Sequence, residues 1–247
     1  MDRRRFIATG ASGLLLGGCD RLNNSPGFRG LLRSAEKLTM ASQRLISPRD
    51  ALVREYGEAD LSPIFRSNGT ARPGTAEYAR HAAEQFANWR LTIDGLVARP
   101  LSIPLQTLRR LPHRVQITRH DCVEGWSAIG KWHGVQLWRL LQHAGLSSRA
   151  NYIVFHCADR FGDKPYYESI DLVDAFHPQT ILAWGMNGHL LPVANGAPLR
   201  LRVERQLGYK HAKYVQRIEA VDSLSRVFGG KGGYWEDNAD YEWYAGI

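Results

Sequence analysis

Cys122 stands in the run His120-Asp121-Cys122-Val123-Glu124-Gly125-Trp126-Ser127. A thiol so placed can serve as a nucleophile, a metal ligand or a small apolar core residue. Asp121 and Glu124 flank it, and neighbouring negative charge raises a thiol pKa, so a free thiolate nucleophile is poorly supported. A bound high-valent metal would strip the proton outright, which favours ligation. A strand read over residues 114–118 stops just before the cysteine and a Gly- and Trp-containing loop follows. Rigid scaffolds present reactive groups at such junctions.

Other groups offer competing chemistry. Cys122 with His177 or His120 would make a hydrolase pair if a ring nitrogen came within hydrogen-bond reach, although no protease signature surrounds the cysteine. A Cys122–Cys157 disulfide would instead leave a non-catalytic binding or scaffold protein in an oxidising compartment. His120, Cys122, His156 and Cys157 could hold zinc, but their spacing fits no familiar zinc module. The glycine-rich run 229–233 lacks the GK[ST] ending of a phosphate loop. With Tyr234, Trp235, Trp243 and Tyr244 it reads as a packed tail closing the core, ahead of one covering a pocket.

The elements that must hold these residues follow from periodicity. Residues 91–97 read as a strand broken by the Asp94-Gly95 turn, and 104–111 as a helix opened by Pro104. Residues 135–144 read as a helix with Leu137, Leu140 and Leu141 on one face and Gly145 as its stop. Residues 152–157 make another strand. Leu199, Leu201 and Val203 alternate with Arg200, Arg202 and Glu204 as a third, which taken alone would leave Arg200 exposed. Lys210 and Lys213 taken alone would lie on a solvated basic face. The sum is an α+β chain with mixed sheets.

Composition narrows the class. The 247 residues are 44% hydrophobic and 23% charged, ordinary values for a compact soluble chain. The net charge of +8 is scattered, with no nucleic-acid module, so nucleic acid is not an expected partner. Arg3-Arg4-Arg5-Phe6-Ile7 and the short apolar stretch after them read as a twin-arginine export signal over residues 1–19, implying a periplasmic location. The signal ends Leu16-Gly17-Gly18-Cys19, a lipobox-like tetrad that would place a lipid anchor on Cys19. Residues 20–60 read as an N-terminal extension, part helix and part irregular, and residues 61–247 as one domain.

The stretch ITRHDCVEGWSAIGKWHGVQL, residues 117–137, resembles the cysteine loop of the sulfite oxidase superfamily of molybdopterin oxidoreductases. Its CVEGWS core is most like the branch of bacterial periplasmic methionine sulfoxide reductases. Asp94-Gly95-Leu96-Val97, His177-Pro178, Asn187-Gly188, Asn195-Gly196-Ala197-Pro198-Leu199-Arg200 and Gly208-Tyr209-Lys210 follow in the family's order, covering roughly residues 63–222. The resemblance implies the sulfite oxidase-type fold, one molybdenum-molybdopterin per chain and Cys122 as the metal ligand. It further implies cofactor contacts from Asn68, Asn195, Arg200, His211, Ala212 and Lys213, and from Cys157 where related reductases have threonine. It implies oxygen-atom transfer on a small substrate such as a sulfoxide or N-oxide, with electrons from a membrane haem subunit or a soluble cytochrome. Two departures argue against the alternative, a sulfite dehydrogenase-like activity. Ser67 stands where sulfite-oxidising members carry an arginine, with Arg66 one place off, and Glu124 follows the cysteine where those members are basic. The chain reaches Ile247 without room for an immunoglobulin-like dimerisation domain, so a monomer is expected.

Overall fold

The computed structural model describes residues 25–247; the arginine run Arg3–Arg5 and Cys19 lie outside the described residues. The chain divides into two units, one ending at Pro48 and one running from Arg49 to Ile247. The first contains helix α1 (Pro26–Ile46), whose Ser25 cap accepts a hydrogen bond from the Phe28 amide (3.5 Å). Among the described residues no helix is long and apolar enough to cross a membrane.

The second unit is built on two five-stranded sheets. After α2 (Ala76–Ala83), strands β1 (Arg90–Gly95) and β2 (Leu101–Pro104) form a hairpin leading into α3 (Leu105–Arg110). With β5 (Tyr152–Phe161), β6 (Lys164–Asp171) and β10 (Val215–Val221) they make the first sheet, in the order β2-β1-β10-β5-β6. Only β1 and β10 run parallel, so this sheet is mixed. The second sheet joins β3 (Arg114–Cys122), β4 (Trp126–Gln136), β7 (Ile181–Met186) and β8 (His189–Leu190), with β9 (Arg200–Arg202) also on β7. All its pairings are antiparallel.

Helix α4 (Leu137–Ala144) turns Leu137, Leu140, Leu141 and Ala144 onto the first sheet's Leu91, Ile93, Ile153 and Phe155, forming the main core. Gly145 ends the helix in the left-handed conformation (φ 70°), as its position suggests. The helix begins two residues later than its periodicity implies, because β-branched Val135 and Gln136 continue β4 and pair with Leu182 and Ile181. A smaller core of Trp132, Ile181, Ala183, Met186 and Leu191 packs with Phe65.

Two features depart from the sequence pattern. Arg200 and Arg202, whose alternation suggests exposure, are both fully buried. Residues 51–56, counted above with the extension, are bonded into the second unit. The Tyr56 amide donates to Ile117 O (2.9 Å), while Val53 and the Gln179 side chain exchange two hydrogen bonds. Asp171, the last residue of β6, caps short α5 (Leu172–Ala175) by accepting from the Asp174 amide (3.1 Å), and α6 (Tyr234–Ala239) belongs to the C-terminal tail.

Candidate active site

The β3–β4 hairpin positions Cys122. The strand runs four residues further than its alternation suggested, and Cys122, its last residue, pairs with Trp126 across a three-residue loop. The Gly125 amide donates to Cys122 O (3.0 Å), and Gly125 takes φ +84°, a conformation that disfavours a side chain. Burial and then the nearby Glu124 charge push the Cys122 thiol above its usual range, against the Val123 and Glu124 amides and Arg200, which pull it down. A protonated thiol is a poor nucleophile, and a metal would displace its proton.

The inward face of β3 is polar: Gln116, Thr118, His120 and Cys122 share it. Arg202 fills the space opposite. It donates Nε and Nη2 to Glu204 (2.9 and 2.5 Å) and Nη1 to His120 Nδ1 (2.9 Å), and its guanidinium lies 4.3 Å from the Trp132 ring centre. Gln116 Nε2 completes the group by donating to Glu204 (2.8 Å). Since arginine only donates, the His120 proton sits on Nε2, which has no partner. Burial, then His211 and the two arginines, keep this ring neutral. A Cβ at residue 208 would strike His120 Nε2, so Gly208 is the residue that fits beside it.

Beyond Cys122 lies a cavity of about 260 Å³ lined by Asn68, Thr70, Glu124, Asp159, His211 and Lys213, with five aromatic side chains. Arg200 sits behind it. Its Nη2 donates to Asn68 (3.0 Å) and its Nη1 to Asn195 O (3.2 Å), leaving Nε without a partner. Burial and then Arg202 lower its pKa to about 9. Lys213 donates to Ser67 (3.2 Å), to Ala194 O (3.0 Å) and to Thr70 O; burial and then Arg200 bring it down to about 7. Ala212 is buried, its carbonyl accepting from the Leu201 amide (2.8 Å). Asn195, Arg200, His211, Ala212, Lys213 and Asn68 are therefore gathered at one place.

Cys157 differs: it lies in the main core with its thiol toward Phe155 O (3.8 Å) and does not line the cavity. Two residues on, a register shift between His156 and Arg160 breaks the β5–β6 ladder, and Asp159 there faces the cavity. The rival arrangements are not assembled. Cys122 and Cys157 are both free, and His156 bonds Glu219 (2.8 Å) on the first sheet. His177 Nε2 is held by Ala51 O (3.0 Å), and His120 is held by Arg202. Among the described residues no group of three or more His, Cys, Asp or Glu could hold a metal ion.

Asp159 escaped sequence reasoning. Its Oδ1 is buried without a partner, and burial lifts its pKa to about 6 despite the Thr70 hydrogen bond. A folded-state value above the unfolded one means that the native state binds the extra proton between pH 3.8 and about 6, so this group weakens the fold as pH rises through that window. Asp159→Asn is expected to raise the stability of the cofactor-free protein at pH 7.5 by about 1–3 kcal/mol, with the gain shrinking towards pH 4. Urea titrations at the two pH values measure this. A gain equal at both would rule out ionisation as its source.

The unpartnered groups test what the cavity can hold. Arg200 Nε and Asn195 Nδ2 are buried donors, Asp159 Oδ1 is a buried acceptor, and two buried cations are held below their usual pKa. Buried polar groups without partners are rare in finished structures. Asn68, Asp159, His211 and Lys213 line the cavity, with Arg200 and Asn195 behind it, a set of donors, acceptors and cations that fits an anionic ligand with a polar edge such as a pterin bearing a phosphate.

The family model for the oxidoreductase molybdopterin-binding domain matches residues 78–228. The chain belongs to this family. A putative protein-methionine-sulfoxide reductase subunit, YedZ1, of Azospira oryzae is 40% identical over 190 residues, covering 75% of this chain and 68% of the relative. The catalytic subunits MsrP of Gluconobacter oxydans and Campylobacter jejuni are 35% and 32% identical over 62% and 65% of this chain, which spans only 52% and 57% of their lengths. Among solved structures, the sulfane dehydrogenase SoxCD from Paracoccus pantotrophus shares the fold, with a TM-score of 0.53 and 23% identity over 62% of this chain and 41% of that one. This molybdopterin oxidoreductase thus has the sulfite oxidase-type fold, and its cofactor is molybdenum-molybdopterin. The family match includes Cys122, Asn195, Arg200 and Lys213, while Asn68 and the tail after Phe228 lie outside it.

Proposed function

We propose that the protein reduces an uncharged organic sulfoxide to a thioether in the periplasm, with molybdenum held by Cys122. The observation that carries this reading is the carboxylate beside that thiol. Glu124 lines the cavity, braced by the Trp126 indole (2.9 Å); no arginine is among the lining residues, and the lysine that is, Lys213, is engaged by Ser67, Ala194 O and Thr70 O on the side assigned to the cofactor. Arg66 is exposed and Ser67 is tied to Ala194 O (2.5 Å) and Lys213, so neither presents a guanidinium to an anion. Carboxylates near the reacting centre repel sulfite and leave a neutral S=O group free to enter. The names of the reductase relatives point the same way.

When bound, molybdenum-molybdopterin supplies two-electron oxygen-atom chemistry. This chain's residues do the rest. Arg200, Lys213, Asn68 and Asn195 would hold the cofactor's phosphate and polar edge, and Cys122 would anchor the metal. The net reaction joins a sulfoxide, two electrons and two protons to give a thioether and water. Asp159 lines the cavity, and its carboxyl, raised to about 6 by burial, can take up a proton and pass it on near neutral pH. The electrons come from a haem protein, either a membrane subunit or a soluble cytochrome. Export follows from the arginine run at Arg3–Arg5, with Cys19 as the lipid site.

Protein matured with its cofactor, carrying about one molybdenum per chain, is expected to oxidise a reduced viologen dye when a methyl sulfoxide is added and to leave sulfite unoxidised with ferricyanide. Sulfite oxidation without sulfoxide reduction would overturn the reading.

A further inference from the structure

The cavity has a second wall that the family match does not cover. Trp235 and Tyr241, both beyond Phe228, line it with Phe161, Tyr166 and Tyr209, and so share it with Cys122. The rings form a continuous array. Phe161 and Trp235 lie 5.3 Å apart at 61°, Trp235 and Tyr241 5.8 Å apart at 27°, and Tyr241 and Tyr209 5.1 Å apart at 78°. Tyr241 remains 37% exposed, leaving ring surface free for a ligand. Sequence patterning assigned Trp235 to closing the core; it does pack against the main core, and it also lines the cavity, as does Tyr241.

The wall is fixed in place. Glu236, next to Trp235, accepts from buried Lys210 Nζ (2.8 Å), which also meets buried Glu168. Asp237 accepts from the Gly229 and Lys231 amides (2.9 and 3.0 Å) and from the Tyr167 hydroxyl. The chain end is pinned as well, with the Leu207 amide on Ala245 O (2.9 Å) and the Ile247 amide on Arg205 O (3.1 Å).

We propose that Trp235 and Tyr241, with Phe161 and Tyr209, form a binding subsite for the apolar S-alkyl or S-aryl arm of an uncharged organic sulfoxide. The inference rests on the sulfoxide reading above and extends it to substrate class. Aromatic faces carry negative quadrupole density, which attracts the electron-poor sulfur and its polarised methyl hydrogens and disfavours oxyanions. A preformed wall also orders the substrate with little loss of side-chain freedom.

The test compares two substrates on the holoenzyme. Trp235→Ala and Tyr241→Ala are each expected to raise KM for methyl p-tolyl sulfoxide about five- to tenfold with kcat within about twofold, while Trp235→Phe stays near wild type. Dimethyl sulfoxide, which carries only S-methyl groups and no larger arm to lie along the wall, is expected to shift less than about threefold. Equal shifts for both substrates, or none, at matched molybdenum content would overturn the proposal. Calorimetric binding of methyl p-tolyl sulfone, which keeps the arm, separates the subsite from the reaction. If wild type turns over no sulfoxide yet binds the sulfone, and Trp235→Ala weakens that binding about tenfold, the subsite stands and the reductase reading fails. If binding is the same in wild type, Trp235→Ala and Tyr241→Ala, the subsite fails whatever the turnover.

Discussion

Replacing Cys122 with alanine is expected to remove both the metal and the activity while leaving the fold in place. Cys122 is the last residue of β3, where the backbone pairing of the hairpin and the Gly125 turn do not depend on its side chain. The sulfur contributes little to the core and is free of any disulfide. As the proposed thiolate ligand, its loss removes the metal's only covalent tie to the chain. Turnover should fall by about a thousandfold or more, roughly 4 kcal/mol on the barrier. Molybdenum content, dye-linked sulfoxide reduction and thermal unfolding would be measured together. Full activity in a folded Cys122→Ala variant would refute the ligand assignment, and collapse of the fold would show that the thiol has a structural duty. Cys122→Ser, with a harder oxygen donor, should retain the fold and lose turnover in the same way.

The second large effect concerns stability. Glu204 is the counter-charge for Arg202, and both side chains are completely shielded from water. Glu204→Ala leaves a buried guanidinium without its carboxylate and the Gln116 amide without one of its two acceptors. Cofactor-free protein should lose about 3–5 kcal/mol, the range for breaking a buried ion pair from one side. Replacing both partners with apolar residues, Arg202→Met with Glu204→Leu, should recover much of that loss because no isolated charge remains. It would nevertheless leave His120 Nδ1 without its donor. Denaturant unfolding of the single and double variants decides the matter. A single-variant loss under about 1 kcal/mol would mean that water or backbone movement relieves the charge.

How legible this architecture is depends on where each residue's partners come from. Helix α4 could be read from its periodicity and Gly145 because it meets the core with one face. Strand β7 could not, since all six of its residues are buried and no alternation survives. Arg200 and Arg202 misled for a related reason. Alternation of charged and apolar residues normally marks a half-exposed strand, but here Glu204 of the same run, with Trp132 and Asn68 from elsewhere in the fold, accepts the cations. The motif around Cys122 was legible, as were the residues between Asn195 and Lys213, because they are short runs held by local backbone. Asp159 depends on an irregularity within β5, and the only sign in the sequence was an acid directly after an apolar run. The tail's rings were visible as composition, whereas their destination required the third dimension.

The segment Tyr209-Lys210-His211 looks in two directions. Its first and last side chains line the cavity, while the middle one reaches back to Glu168 and Glu236 and so secures α6. The floor and one jamb of the opening are consequently a single mechanical piece. Swinging the tail aside would uncover an ammonium and two carboxylates at once, and the cost of separating buried charges holds this wall against the floor.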